Sequence, residues 1–494
     1  MGIIFNFLMN ALKKNFFIFL FILVTSSAYT QNQKDILTAE QAISDLNWLE
    51  KFISDVHIAP KALYEGNDLT KSFFNLKTKI IKTGSISKSK LYAELLPVLY
   101  TIQDIHLSLY LPSTENDYLN SDNYYLILQI KILNDDNIYC LDSDKKIIPR
   151  GSRILSINGY TDYEIMSKLM SASPSDGKNS HSKSLFSEKN FVELFPLYFP
   201  VLSQNQMRYI PPNSADTFSI HYPGEKKARN IKNYLRKSED KRSPNYHEIF
   251  FFHNPEAAMI RIPSFSEEST KGFKDFLDYI FNTIHEKNIE HLIIDLRGNE
   301  GGYAEQGEIL LSYLISYKTP YINNIIYKHS RMADEIYDKQ SKNSPLLKRM
   351  FVLRELIKMK DEPYGTYDTL IYAQTEPHAQ VYKGKLYILV NGLSVSTTGL
   401  VCNALREHRG AVFIGQQGGF TPEGTFGQVI GFKLPFSKIM GAMSTIRFNS
   451  TDSFSIGTNP FLPDIQVDET IDDILKGKDP VLEQTLEIIR KKQA

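Results

Sequence analysis

The sequence is poor in cysteine, because Cys140 and Cys402 are the only two among 494 residues and lie far apart. Two cysteines cannot build a zinc cluster or the disulfide framework of a small secreted protein. They allow one disulfide, but isolated cysteines more often behave as small buried hydrophobic residues. Two buried thiols are therefore the expected outcome.

An excess of either charge is also absent. The chain has 56 lysines and arginines against 56 aspartates and glutamates, so its formal net charge is zero. Proteins that bind nucleic acid or anionic membranes usually carry a basic surplus, so neither is expected as the main partner. With 42% hydrophobic residues, the chain can bury a large core divided among several domains.

Long hydrophobic runs are missing except for Phe16–Val24, close to the start. The basic pair Lys13 and Lys14 precedes this run, and the small residues 26–28 follow it. The pattern is typical of a secretory signal peptide over residues 1–28, and the run is about half of the roughly 20 residues that a membrane span needs. We expect cleavage near residue 28 and an exported protein, periplasmic or secreted, with no membrane span after cleavage.

Residues 33–112 are predicted to form a helical N-terminal domain, because apolar residues within 46–53 recur at helical spacing. A helix within Leu95–Leu107 is expected to end shortly before a short strand. This helix would place Asp104 and His106 at the end of an element, where a side chain can face a site.

Residues 120–240 change to short alternating strands. The stretch Arg150–Tyr160 reads RGSRILSINGY and is followed by the predicted helix Asp162–Met170. This strand, turn and helix resemble a PDZ module, a small β-rich domain whose groove pairs an extended peptide with the edge of a sheet. The alternative is a small β-domain that only packs against the core.

Residues 247–485 alternate strands and helices, which predicts an α/β layer fold. Within them, 321–380 is charged, rich in tyrosine and weakly patterned, with a helical stretch at Leu346–Lys360. We interpret 321–380 as an insertion that covers a site. Its tyrosines either line a substrate path or pack in an interface, and the sequence leaves both open; they include Tyr321, Tyr327 and Tyr337.

Two turns in this region carry the chemistry. The segment His291–Tyr303 reads HLIIDLRGNEGGY, a buried strand that ends in closely spaced glycines. Gly301 and Gly302 have no side chain to shield their N–H groups, so they can bind an oxyanion. The second turn follows the apolar strand Lys385–Val390 and contains Ser396 immediately before a predicted helix.

Ser396 is the candidate nucleophile. A serine hydroxyl needs a base within hydrogen-bond reach and donors for the oxyanion formed on attack. The N–H of Thr397, at the start of the helix, is one such donor. A serine in front of a helix is nevertheless more often an N-cap than a nucleophile, so the choice rests on its context.

That context is a resemblance to the C-terminal-processing, or tail-specific, serine peptidases, in particular their tricorn-like and retinoid-binding-protein-like branch. The segments DLRGNEGG and VNGLSVSTT match the two turns of the family. Shorter matches follow in the order of the family, at Ile414–Gly415, Gly418–Gly419, Leu434–Ser437 and Leu462–Ile465. The resemblance implies a crotonase-like layered α/β peptidase core of the ClpP type, with the helical N-terminal domain and the small PDZ-like β-rich domain in front of it.

The resemblance also implies the catalytic residues. One branch of the family uses a lysine about two dozen residues after the serine, but no lysine occurs from Thr397 to Phe432. The other branch uses a histidine from an upstream helix-to-strand junction, which His106 matches. His408 is a weaker choice because about twelve helical residues place it roughly 18 Å from Ser396.

The carboxylate that would orient the histidine stays open among Asp104, Glu305 and Asp464. Where the relatives carry a glutamate, this chain has Gly457 or Thr458, and Gln417 stands where they usually show threonine. Asp295 and Arg297 are interpreted as a charged pair that fixes a turn rather than as catalytic groups.

The expected protein is therefore an exported serine endopeptidase of the tail-specific type that acts on protein or peptide substrates. No metal or organic cofactor is implied, and the oligomeric state is not predicted. The alternative is a catalytically degenerate protein that binds peptides or apolar ligands on the same core. Acyl chemistry of the crotonase type is a weaker option, because the signal peptide removes the chain from the compartment of coenzyme A.

Overall fold

The structure is a computed structural model that describes residues 36–58, 69–111, 124–134, 136–226, 234, 247–266, 269–341, 362–451 and 457–493. The predicted signal peptide and the helical stretch Leu346–Lys360 lie outside the described residues. Among the described residues, no helix is both long and apolar enough to cross a membrane. Cys140 and Cys402 are buried free thiols, as predicted.

The N-terminal part is helical, as its spacing predicts. Its helices are α1 (Ala39–Val56), α2 (Leu69–Thr83) and α3 (Lys88–Leu99), and a short ribbon joins β1 (Ile36–Thr38) to β2 (Ser85–Ser87). Thr38 caps α1 in a reciprocal capping box with Gln41. After α3, a 3-10 turn and a left-handed Gln103 (φ 58°) redirect the chain into β3 (Ser108–Tyr110), so His106 lies at a helix-to-strand junction.

The small middle domain is a sheet with the strand order β4-β5-β6-β8-β9, in which β7 pairs with β6. Its strands are β4 (Leu128–Ile132), β5 (Ile138–Ser143), β6 (Arg153–Ile157), β7 (Tyr160–Thr161), β8 (Gln204–Ile210) and β9 (Phe218–Pro223). Its helices are α4 (Asp162–Ser171), α5 (Ser180–Lys189) and α6 (Phe191–Tyr198).

The core sheet has the order β10-β11-β12-β15-β16-β19 and is parallel from β11 onward. Its strands are β10 (Glu248–His253), β11 (Glu256–Arg261), β12 (His291–Asp295), β15 (Lys385–Val390), β16 (Val412–Gly415) and β19 (Ile465–Gln466). Its helices are α7 (Thr270–Glu286), α8 (Ala304–Ser312), α10 (Thr397–Arg409), α11 (Ile471–Lys476) and α12 (Pro480–Gln493).

Both faces of this sheet are covered, which explains why its strands read as unbroken apolar runs. In β12, Leu292 and Ile294 face the core shared with α7 and α10, whereas Ile293 faces the cluster formed with α12. The carboxyl ends of β12 and β15 lie side by side, because Ile294 pairs with Ile388 and Asp295 with Leu389. The glycine turn and the serine turn therefore start at the same edge.

A second sheet lies next to this core and is not apparent from the sequence. Its strands are β13 (Asn324–Lys328), β14 (Tyr367–Ile371), β17 (Gly424–Lys433) and β18 (Met440–Asn449), and β3 pairs with β18. The helix α9 (Arg331–Ser341) follows β13. Tyr321, Tyr327 and Tyr337 are at most 2% exposed, so these tyrosines of 321–380 pack inside the protein.

Asp45 fastens the helical domain to the second sheet. This residue of α1 is fully buried, and its carboxylate accepts the N–H groups of Phe436 and Ser437, each at 2.7 Å, in the turn between β17 and β18. Trp48 and Phe52 pack against Phe432 beside it. The helical domain is thus held at the sheet that carries β3.

We expect Asp45→Asn to destabilise the protein by about 1–3 kcal/mol, because the amide supplies one acceptor oxygen for two buried N–H donors. A urea titration followed by circular dichroism would show a lower midpoint with an unchanged slope. Glu40→Gln, on the exposed side of the same helix, is the control and should leave the midpoint unchanged. Equal midpoints for the two variants would contradict this role of Asp45.

Candidate active site

Ser396 sits in a strained turn between β15 and α10. Its backbone has φ 59° and ψ −124°, and the N–H of Thr398 closes the turn by donating to the carbonyl of Val395 at 3.1 Å. A positive φ costs a non-glycine residue about 1–3 kcal/mol and is often found at functional sites. The Ser396 side chain makes no capping hydrogen bond to α10. Its hydroxyl is therefore available for another partner.

The glycine turn holds the serine turn in place. The Asn299 carbonyl accepts the N–H of Val395 at 3.1 Å and the Thr398 hydroxyl at 3.0 Å. In addition, the Thr397 hydroxyl donates to the Gly302 carbonyl at 2.8 Å. These bonds interlock the ends of two neighbouring strands, and they maintain the strained backbone of Ser396.

His106 is the partner of the Ser396 hydroxyl. Its Nε2 lies 3.1 Å from Ser396 Oγ, although the two residues are 290 positions apart in the sequence. On the other side of the ring, Nδ1 lies 3.2 Å from Asp104 Oδ1. Ser396, His106 and Asp104 thus form one continuous chain, and each is at most 6% exposed. Of the three candidate carboxylates, Asp104 is the one that contacts the His106 imidazole.

Other predicted residues lie elsewhere. Asp464 accepts the N–H of Phe413 at 2.7 Å, and Glu305 Oε2 lies 3.4 Å from the Thr270 hydroxyl. His408 is in the last turn of α10. The carboxylate of Glu423 occupies the space beside Gly457, where a Cβ would lie 1.8 Å from its Oε2.

Asp295 and Arg297 form the structural ion pair expected from the sequence. Arg297 Nε and Nη2 donate to the two oxygens of Asp295 at 2.9 and 2.8 Å. The same guanidinium donates to Asp479 at 2.8 and 2.7 Å, which ties the start of α12 to the glycine turn.

Two further polar residues complete the site and do not stand out in the sequence. His57, the residue that ends α1, is fully buried, and its Nε2 lies 3.3 Å from Asp104 Oδ2. Asp176 is 2% exposed. Its Oδ1 accepts a hydrogen bond from the N–H of Ile105 at 2.9 Å, and its Oδ2 accepts one from the Thr425 hydroxyl at 3.0 Å. Neither residue belongs to a motif, so no local signal could have found them.

The charges of the site shift its pKa values in opposite directions. Burial lowers the pKa of His106, but the hydrogen bond and charge of Asp104 and the charge of Asp176 outweigh it, so the pKa is raised above 6.5. Burial raises the pKa of Asp104, but hydrogen bonds with His106 and His57 outweigh it and hold that pKa far below its usual range. Asp104 is therefore charged at neutral pH.

Gly301 and Gly302 leave bare backbone beside Ser396. A Cβ on Gly301 would lie 2.7 Å from Ser396 Cβ, and one on Gly302 would collide with the carbonyl of Phe265. The N–H of Gly301 donates to Asn299 Oδ1 at 2.9 Å. Within the described ranges, the N–H groups of Gly302 and Thr397 have no hydrogen-bond acceptor. These two donors are thus free to bind another group.

We expect Asp104→Asn to lower the pKa of His106, because the main influence that raises it is removed while the burial of the ring remains. Titration of the histidine ring nitrogens by NMR measures this shift. Asp464→Asn, which changes another of the three candidate carboxylates, should leave the pKa of His106 in place. An unchanged His106 titration in the Asp104 variant would contradict this electrostatic reading.

Comparison with known proteins finds one family profile and several similar structures. The sequence profile of peptidase family S41 matches residues 256–467. Mature CPAF has a similar structure, with a TM-score of 0.65, 15% identity, and coverage of 92% of this chain and 97% of that chain. An alanine mutant of CPAF gives a TM-score of 0.69 at 14% identity, with the same coverage. At such identities the likeness shows a shared fold. No curated protein sequence matches the chain.

The family match covers the strands and turns that carry Ser396, and the shared fold extends over nearly the whole chain. The chain thus carries a region of peptidase family S41, at residues 256–467, and is a serine-type peptidase.

Proposed function

We propose that this peptidase is an exported endopeptidase of the tail-specific type in which Ser396 is the nucleophile and His106 the general base. The observation that carries the proposal is the 3.1 Å contact between His106 Nε2 and Ser396 Oγ. A proton can pass directly over such a distance. Asp104 is the carboxylate that orients the imidazole, because it lies on the opposite ring nitrogen.

The proposed reaction follows from these positions. Because Asp104 is charged, it favours the tautomer with the proton on Nδ1, which leaves the lone pair of His106 Nε2 facing Ser396. Ser396 Oγ attacks the peptide carbonyl carbon while its proton moves to Nε2. The same proton then goes to the leaving amine, and water attacks the acyl-enzyme by the reverse route. Asp104 stabilises the imidazolium in both halves.

The oxyanion formed on attack would be bound by backbone N–H groups. Thr397 and Gly302 are the proposed donors, because neither N–H has an acceptor in the described structure, whereas that of Gly301 is engaged by Asn299. The dipole of α10, which begins at Thr397, adds favourable charge at the same point. Gly301 contributes the space beside Ser396.

Substrate peptides would approach between the small domain and the core. The N–H of Ile132, in the edge strand β4, donates to Glu188 of α5 at 2.7 Å, so part of this PDZ-like edge is covered by the chain itself. A cavity of about 260 Å³ remains at the end of β4, between Met166 and Met170 of α4 and Gln417 of the core. Its lining is mostly polar and includes Asn134, Ser184 and Gln416, so we propose that a polar side chain of the substrate enters it.

Export would depend on residues 1–28, whose basic pair and short apolar run support a cleaved signal peptide. The active form would then begin after residue 28, in the periplasm or outside the cell. No metal or organic cofactor has a role in the proposed reaction.

A fluorophosphonate probe should label the full-length protein, and Ser396→Ala should abolish labelling because the attacking oxygen is gone. Labelling is measured by gel fluorescence, and its position by mass spectrometry of the modified peptide. His106→Ala should also abolish it, whereas His408→Ala, which changes the other candidate histidine, should keep it. No labelling of a folded wild-type sample would contradict the peptidase proposal and favour a degenerate binding protein.

Gly301→Ala should lower the labelling rate about 100-fold or more, because the new methyl group would push against Ser396 Cβ and misplace the nucleophile. Gly298→Ala is the matched control: Gly298 also has a positive φ (75°), but a Cβ there meets nothing within 4 Å. The control carries a similar backbone cost without the collision and should keep most of the labelling. Equal losses in the two variants would contradict the steric argument.

A further inference from the structure

The segment Ser175–Ser182, here called the strap, joins α4 of the small domain to α5 and runs through the active site. Towards the histidine, the Gly177 N–H donates to the Gln103 carbonyl at 3.3 Å. Asp176 accepts the N–H of Ile105 at 2.9 Å. Gln103 and Ile105 are the two neighbours of Asp104 in the chain, so the strap holds the backbone on both sides of that carboxylate.

The strap also holds the turn that carries the nucleophile. The Ser182 hydroxyl donates to the Gly392 carbonyl at 2.8 Å, and the Asn179 amide donates to the Gly418 carbonyl at 2.5 Å. Gly392 belongs to the turn between β15 and Ser396, and a Cβ on it would lie 2.7 Å from the backbone nitrogen of Ser182 in the strap. One segment therefore contacts both loops that must meet for Ser396 to face His106.

Within the strap, Asp176 is the residue that faces the base. Asp104, His106 and Asp176 are all buried, and each places one oxygen or ring nitrogen within 4.8 Å of those of the other two. His106 thus has a direct carboxylate on its ring and a second carboxylate close by. The second comes from a different domain and from a position 70 residues further along the chain.

We propose that Asp176 is a positioning residue of the peptidase, through which the small domain sets the orientation and base strength of His106. This inference rests on the proposed function of His106 as the general base. Asp176 fixes the Ile105 peptide next to the ring, and its charge stabilises the imidazolium that forms when Ser396 loses its proton. The small domain, proposed above to border the substrate path, then also tunes the chemistry.

Three other titratable residues lie around His106 and Asp176 in the described structure: Asp104, His57 and Arg447. Asp104 lies on the histidine loop itself, and His57 contacts it from the end of α1. Arg447 of β18 is 2% exposed, and its guanidinium lies 4.8 Å from the centre of the Phe426 ring. Burial lowers the pKa of Arg447 to about 10, so the guanidinium stays charged at neutral pH. It interacts electrostatically with Asp176, Glu423 and Asp104.

Asp176 titrates close to neutrality. Burial and the charge of Asp104 raise its pKa, His106 lowers it, and the resulting value is about 6. Above this pH its charge supports His106, and below it the support is lost.

The test is the pH dependence of the labelling rate with the fluorophosphonate probe on the full chain. Asp176→Asn keeps an acceptor for the Ile105 N–H but removes the charge. We expect its rate above neutral pH to fall about tenfold, and the acid limb of its profile to move to lower pH, because the pKa of His106 drops. Ser175→Ala, which changes the buried neighbour without changing charge, should keep the acid limb in place.

A folded Asp176→Asn protein with the wild-type pH profile would overturn the proposal, because a purely structural role of Asp176 would leave the pKa of His106 unchanged. If wild type itself is not labelled, the proposed function fails rather than this inference. If Asp176→Asn does not fold, the Thr425→Val variant provides the test. The Thr425 hydroxyl donates a hydrogen bond to Asp176, so its loss raises the pKa of Asp176. Its labelling should then be slowed near neutral pH and normal well above it, whereas an equal loss at every pH would overturn the proposal.

Discussion

The site depends on one long-range contact, the 3.1 Å approach of His106 Nε2 to Ser396 Oγ. The glycine turn and Asp104 hold these two atoms together. The glycine turn keeps Ser396 in a backbone conformation that it would not adopt alone, and Asp104 keeps the ring aligned. Burial of all three residues strengthens their electrostatic coupling, because little water is present to screen it.

Two sheets and a helical domain share the task of placing these groups. Parallel pairing brings the ends of β12 and β15 together, which puts Gly301 beside Ser396. The strand β3, just after His106, pairs with β18 of the second sheet. The position of His106 is therefore set by β3, a strand of the N-terminal domain that lies outside the residues 256–467 matched by the family profile.

Local pattern was sufficient to predict much of this arrangement. The unbroken apolar runs and the closely spaced glycines mark the core strands and their turn. Local pattern placed His106 at the end of an element, and the resemblance to the tail-specific peptidases singled it out. His57 and Asp176 could not be predicted, because their roles arise from contacts across 47 and 71 positions with no repeated spacing. The long strands β17 and β18 were also missed, since β18 is flanked on both edges and its residues do not alternate clearly between polar and apolar.

The distance in sequence between His106 and Ser396 has a consequence for biosynthesis. A ribosome completes the proposed base, His106, 290 residues before the proposed nucleophile, Ser396. Domains fold in order as they appear. A chain that stops between these two residues would thus hold only one half of the proposed catalytic pair.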